Sequence, residues 1–175
     1  MLGSVINPST LALIEQRLGR RPRGLREVAV QDSAGDPMVI RVASIVDGKP
    51  FPTLFWLIDP ELCLRIDRAE ARGVIATLQA LVDASPELQR CMRDDHGAHI
   101  ALRRGFFSQE ELAMAQRPGF RAAFRERGIG GIADFRRIRC LHTWYAAHLV
   151  NPNTVGRLLD QYWAQEAASA DSSTH

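Results

Sequence analysis

The chain has 175 residues, 46% hydrophobic and 24% charged, with a formal net charge of +2 at pH 7. That length supports one proper core rather than two independent domains, and no run of about 18 apolar residues is present to cross a membrane. The opening MLGSVINPSTLALIEQRLGRR lacks the charged, apolar, then small order of a secretory signal, so a soluble cytoplasmic protein is expected.

Three cysteines, Cys63, Cys91 and Cys140, are odd in number, far apart and without a CxxC, which writes neither a disulfide framework nor a local zinc motif. Of the 22 basic residues only Lys49 is lysine. Arginine makes planar, bidentate contacts with phosphate or carboxylate that lysine makes poorly, although a GC-rich genome gives the same bias.

Along the chain, Leu11, Ile14 and Leu18 recur at helical spacing after a Ser9/Thr10 cap candidate, predicting a helix from Pro8 to Leu18. LREVAVQ, PMVIRVAS and PFPTLFWLID follow, separated by the turn compositions DSAGD and VDGK; they predict a three-stranded antiparallel meander. Its third strand is nearly all apolar, so helices are expected to cover at least one face. From Pro60 onward the pattern is helical: PELCLRIDRAEARG, VIATLQALVDA, SPELQRCMRDDHGAHIALRRGFF, SQEELAMAQ and RPGFRAAFRERG. A further helix is expected after Asp134, and a last one from about Asn153 to Trp163. The expected architecture is α+β, a meander near the N-terminus covered by about six helices. Residues 1–166 form its single domain and 167–175 a disordered tail.

Three groups of residues carry candidate chemistry. The first is RIRCLHTWYAAHLVNPN. On a continuous helix Phe135, Ile138, Leu141, His142, Tyr145 and Leu149 form one stripe and Cys140 points about 160° from His142, which forbids a local thiol–imidazole pair. Cys140 and His148 lie about 12 Å apart along the axis. His142 then reads as a core histidine or, beside a cavity, as a ligand or acid–base group.

The second group is DDHGAH. His96 and His99 lie three apart, and with His142 from a facing helix they would supply three imidazoles around a divalent metal. The third is RERGIGGIADFRRIRC, in which Gly130 and Gly131 precede Arg136, Arg137 and Arg139. Free backbone N–H groups at a helix start, together with these arginines, suit an anion, while Asp134 and Glu126 would balance them internally. Neither a P-loop lysine nor a preceding strand is present, so this is not a nucleotide-binding fingerprint.

Taken together, LGRRPRG at 18–24, the segment from GDPMVI to FPTLFWLIDPEL, GIGGIADFRRIRCLH and AAHLVNPN resemble the bacterial domain-of-unknown-function family 501 over roughly residues 10–160. The resemblance implies a cytoplasmic bacterial protein without an assigned activity, encoded near septum-formation and exopolyphosphatase-like proteins, and hence a division- or polyphosphate-related partner. The family pattern falls here on Arg20, Gly35, Pro37, Phe51, Pro52, Thr53, Pro60, His96, Cys140, His142, His148, Asn151 and Pro152. Where many relatives carry cysteines, Asp32, Ala34 and Asp59 stand. With Cys140 the only thiol left, a four-cysteine zinc or iron–sulfur site is excluded at these positions, and a centre of Asp32, Asp59, Cys140 and a histidine would be a harder one.

Three functional readings remain open. One is a module binding a phosphorylated small molecule or an acidic protein segment through Arg20, Gly130, Gly131, Arg136, Arg137 and Arg139, with nucleic acid also compatible and no membrane. Another is a metal-assisted hydrolase with His96, Cys140, His142 and His148 as catalytic candidates and His96, His99 and His142 as metal candidates. The third is a structural partner exposing FPTLFWLID.

Overall fold

The computed structural model describes residues 6–172. The first five and last three residues, on which part of the leader and tail readings fell, lie outside them. Helix α1, Pro8–Leu18, starts at Asn7, whose side chain accepts the Thr10 N–H at 2.7 Å, and stops at Gly19 in the left-handed conformation. The expected caps, Ser9 and Thr10, instead lie inside the first helical turn after Pro8, and the Ser9 hydroxyl donates to the same Asn7 oxygen.

Strands β1 (Leu25–Gln31) and β2 (Pro37–Val42) form a hairpin around a turn in which Asp32 Oδ1 accepts the N–H groups of Ala34 and Asp36. A two-residue hairpin, β3 (Ile45–Val46) with β4 (Lys49–Pro50), interrupts the meander before β5 (Phe55–Leu57) pairs antiparallel with β2. The main sheet therefore has the expected three strands, in the order β1-β2-β5.

Alternation along β2 sends its side chains into two cores. Ile40 and Val42 pack with Ile14 of α1 and with Ile58, while Val39 joins the larger core built from the later helices. Both faces of the sheet are covered, one more than the sequence demanded.

Helices α2 (Pro60–Ala71), α3 (Val74–Ala84), α4 (Pro86–Gly105), α5 (Gln109–Ala115) and α6 (Pro118–Arg125) follow as predicted. Their starts are readable chemistry: Asp59, Ser85 and Ser108 each accept a backbone N–H three residues on, the last within a full capping box with Glu111. A 3-10 turn at Ile129–Gly131 precedes α7 (Leu141–Val150) and α8 (Thr154–Ser172), giving an α+β architecture.

Two boundaries differ from expectation. Residues 134–140 are not helical: Asp134 Oδ1 accepts the Arg136 N–H at 3.1 Å in a tight turn, the chain then runs extended, and α7 starts only at Leu141. Helix α8 continues past Trp163 to Ser172 and takes in much of the segment expected to be a disordered tail. AQEAASADS contains no glycine or proline to stop it and is rich in good helix formers. None of the described helices is long and apolar enough to cross a membrane.

Candidate functional site

The first turn of α7 organises the site. No serine, threonine, aspartate or asparagine stands before LHTWYAAHLV to cap it, and the cap comes from elsewhere: Glu70 of α2 accepts the Leu141 N–H at 2.6 Å. The negative group that a helix start favours is thus supplied from within the chain.

Cys140, the last residue before α7, has extended dihedrals, φ −152° and ψ 121°. Its side chain is therefore freed from the helical wheel. Sγ lies 3.8 Å from His142 Nδ1, so the pair that a continuous helix forbids is made. The same Nδ1 is 3.6 Å from Glu70, and Nε2 on the other side of the ring is 3.3 Å from Asp67 Oδ1. One ligand atom each from Glu70, Cys140 and His142 lies within 4.8 Å of the others, the single such grouping of three metal-ligating side chains among the described residues.

The electrostatics follow from this crowding. Burial pushes the Cys140 thiol up, as does Glu70, but the hydrogen bonds from His142 and the backbone outweigh both and leave it below the ordinary thiol value. His142 is raised, first by its bond to Cys140, against burial, with Glu70 and Asp67 adding to it. Two acids and one imidazole thus share one small volume.

Beside them opens a cleft of about 460 Å³. Phe55, Trp56 and Leu57 of β5 lie on one side, Phe51 and Thr53 come from the approach to that strand, Leu18 and Arg20 from the end of α1, and His142 and Thr143 from α7. The exposed Arg20 lies with its guanidinium carbon 5.2 Å from the Trp56 ring centroid, and Phe51 meets the same ring at 6.0 Å.

The remaining candidates fall elsewhere. His96 is fully buried: Nδ1 accepts the Ile129 N–H at 3.0 Å, and the ring stacks on Phe135 at 4.4 Å and meets Trp144 edge-on at 4.8 Å. Gly128 is the residue the ring packs against, and a Cβ there would collide with it. His99, 5% exposed, meets Phe55 edge-on at 5.9 Å. Burial lowers His96 to about 4, and burial followed by Arg103 and His96 lowers His99 to about 3. The trio His96, His99 and His142 is not assembled.

His148 is also committed. Its Nδ1 accepts the Asn153 N–H at 3.0 Å and its Nε2 is 3.1 Å from Asp160, which also accepts from the Tyr145 hydroxyl at 2.8 Å; this ties α7 to α8. A Cβ on Gly156 would strike the ring.

The four arginines do not line one pocket. Arg20 faces the cleft, whereas Arg136 and Arg137 pair with Asp134, and Arg137 also with Asp83, in the turn before α7 rather than in its first helical turn. Arg139 is exposed. Gly130 and Gly131 take positive φ, and a Cβ at either would press on Thr143 or Pro52, so they serve close packing rather than an open anion loop. Asp32 and Asp59 are engaged as the turn and helix caps described above, and the carboxylate beside Cys140 is Glu70.

Sequence reasoning missed Glu70 and Asp67. The available signal was their i,i+3 spacing on α2, which puts two carboxylates on one face. A family model described as "Protein of unknown function (DUF501)" matches residues 28–161. No curated protein and no solved structure matches the chain.

Proposed function

We propose that this chain, which belongs to the DUF501 family of proteins of unknown function, is a metal-assisted hydrolase of an anionic substrate, with Glu70, Cys140 and His142 as the ligands of a zinc-class divalent ion. The observation that carries this reading is the convergence of those three side chains, backed by Asp67 on the far nitrogen of His142. Zinc–sulfur and zinc–nitrogen bonds of about 2.3 and 2.0 Å in a tetrahedron separate the ligand atoms by about 3.4–3.6 Å. The distances of 3.6 and 3.8 Å about His142 Nδ1 are close to that.

The charge balance supports the same reading. A thiolate and a carboxylate aimed at one point repel each other, and a cation between them removes the repulsion. Asp67, 3.3 Å from His142 Nε2, favours a proton on that nitrogen, which would leave the Nδ1 lone pair for the ion.

Glu70, Cys140 and His142 would hold the ion through three protein ligands, the number that zinc sites of catalytic type use, and the ion would lower the pKa of a water bound to it. Such an ion would supply an activated water as nucleophile toward an acyl or phosphoryl centre in the cleft, with His142 and Thr143 on the α7 side of that cleft. Arg20 supplies the contact to the substrate's anionic group, while Trp56 and Phe51 offer it an apolar wall. A reduced Cys140 needs a reducing compartment, which supports the cytoplasm.

The test is elemental analysis with native mass spectrometry of untagged protein, before and after reconstitution with zinc, followed by hydrolysis assays on aryl phosphates and aryl esters. One ion per chain, lost in Cys140→Ser and in His142→Ala, is expected. No stoichiometric ion after reconstitution overturns the reading. Hydrolysis that persists without metal and vanishes in Cys140→Ser would replace it by direct attack of the thiol, the reading that the 3.8 Å contact between Cys140 and His142 favours.

A further inference from the structure

A second pocket, of about 80 Å³, lies among α4, α5 and α6, away from the residues of the cleft. Its lining holds three arginines, Arg103, Arg104 and Arg125, and no carboxylate. Arg103 is 1% exposed, and a guanidinium so buried ordinarily meets a carboxylate. Here Nη1 donates to the Ala123 carbonyl at 3.3 Å and Nη2 to the Arg127 carbonyl at 2.5 Å, both near the end of α6, while Nε has no partner among the described residues. The negative end of α6 offsets part of the charge. A carbonyl is still not a counter-ion, and burial lowers the Arg103 pKa to about 10.

The rest of the lining is mainly apolar: Ile100, Phe107, Leu112 and Phe124. Water-sized groups need about 10–15 Å³ each on this measure, so the pocket has room for roughly six. An inorganic anion would give up its hydration against a lining that is mainly apolar. A carboxylate with a short aliphatic tail satisfies both halves.

We propose that this pocket is a ligand site for a short aliphatic monocarboxylate, its carboxylate against the arginines of the lining, Arg103 first, and its tail against Phe107, Leu112 and Phe124.

The experiment is isothermal titration calorimetry of the full chain with sodium butyrate at neutral pH and low salt, with inorganic phosphate as a second probe. One saturable butyrate per chain is expected. Ala115→Leu, which fills the pocket and leaves Arg103 in place, should weaken it about tenfold or more, because charge-assisted contacts contribute about 1.5–3 kcal/mol. The exposed double variant Arg104→Gln/Arg125→Gln should weaken it as well without depending on how a buried arginine tolerates replacement, and circular dichroism checks the fold of each. Cys140→Ser should leave butyrate binding unchanged, which separates this site from the metal centre. No saturable butyrate binding, binding indifferent to Ala115→Leu in a folded protein, or uptake of phosphate alone would each overturn the proposal.

Discussion

The histidines of α4 and the histidine at the start of α7 mark two regions that differ in every respect that matters for chemistry. On α4, His96 and His99 sit in the core, His96 stacked on Phe135 and edge-on to Trp144 and His99 edge-on to Phe55, with burial holding both neutral at physiological pH. At the start of α7, His142 is half-buried, touches a thiol and two carboxylates, and opens onto a cleft. The same side chain is a packing element in one place and a member of a half-buried acidic cluster in the other. What separates them is the company of acids and access to solvent, not the spacing of imidazoles along a helix.

The largest expected effect breaks the first region. His96 and His99 titrate near 6.5 when unfolded and near 4 and 3 when folded, so the unfolded chain binds more protons below pH 6.5, and stability falls as pH drops through that window. Between pH 7.5 and 5.0 each gives up about 2 kcal/mol, roughly 4 together, measured by urea denaturation at the two pH values. His142 is raised and acts in the opposite sense: its contribution is full below about pH 6.5 and fades as pH rises through the folded value. In His99→Leu the acid-side slope should fall by about half, since one of two protonating groups is gone.

In the second region, Glu70→Gln should cut zinc affinity about a hundredfold, because it removes a charged ligand, while the amide oxygen still caps Leu141. Competition against a chromogenic chelator measures it. Asp67→Asn, which touches only the outer face of the His142 ring, should cost less, about tenfold. Metal retention unchanged in both would remove the distinction between the two regions.

The smallest effect belongs to Arg20→Gln. An exposed side chain resting on Trp56 should shift stability by less than about 0.5 kcal/mol. It should nevertheless raise KM for an anionic aryl substrate without changing metal content.

Elements with local signals were legible. The helices between Pro60 and Arg125 and the alternating strands with their turn residues fell where the residues put them. The site was not legible, for a specific reason: the start of α7 is fixed by Glu70, 71 residues away, so nothing near Cys140 announces the boundary. Extending the helix back to Asp134 turned Cys140 away from His142 and sent attention to His96 and His99 instead. The arginine cluster was legible in part: Asp134, read as an internal balance, does pair with Arg136 and Arg137, but in a turn rather than at a helix start.

The cap that Glu70 gives Leu141 also sets a dependence. A first turn without a local cap frays when α7 is alone, so the start of α7 depends on contact with α2 across a 71-residue separation, while Gln79 of α3 holds the preceding turn by accepting the Ile138 N–H and donating to the Arg136 carbonyl. Sub-global openings that lift α2 from α7 would erase the site while leaving the sheet intact. The Leu141 amide therefore becomes a built-in timer for the centre: its hydrogen-exchange lifetime measures how long the three converging side chains stay together between openings.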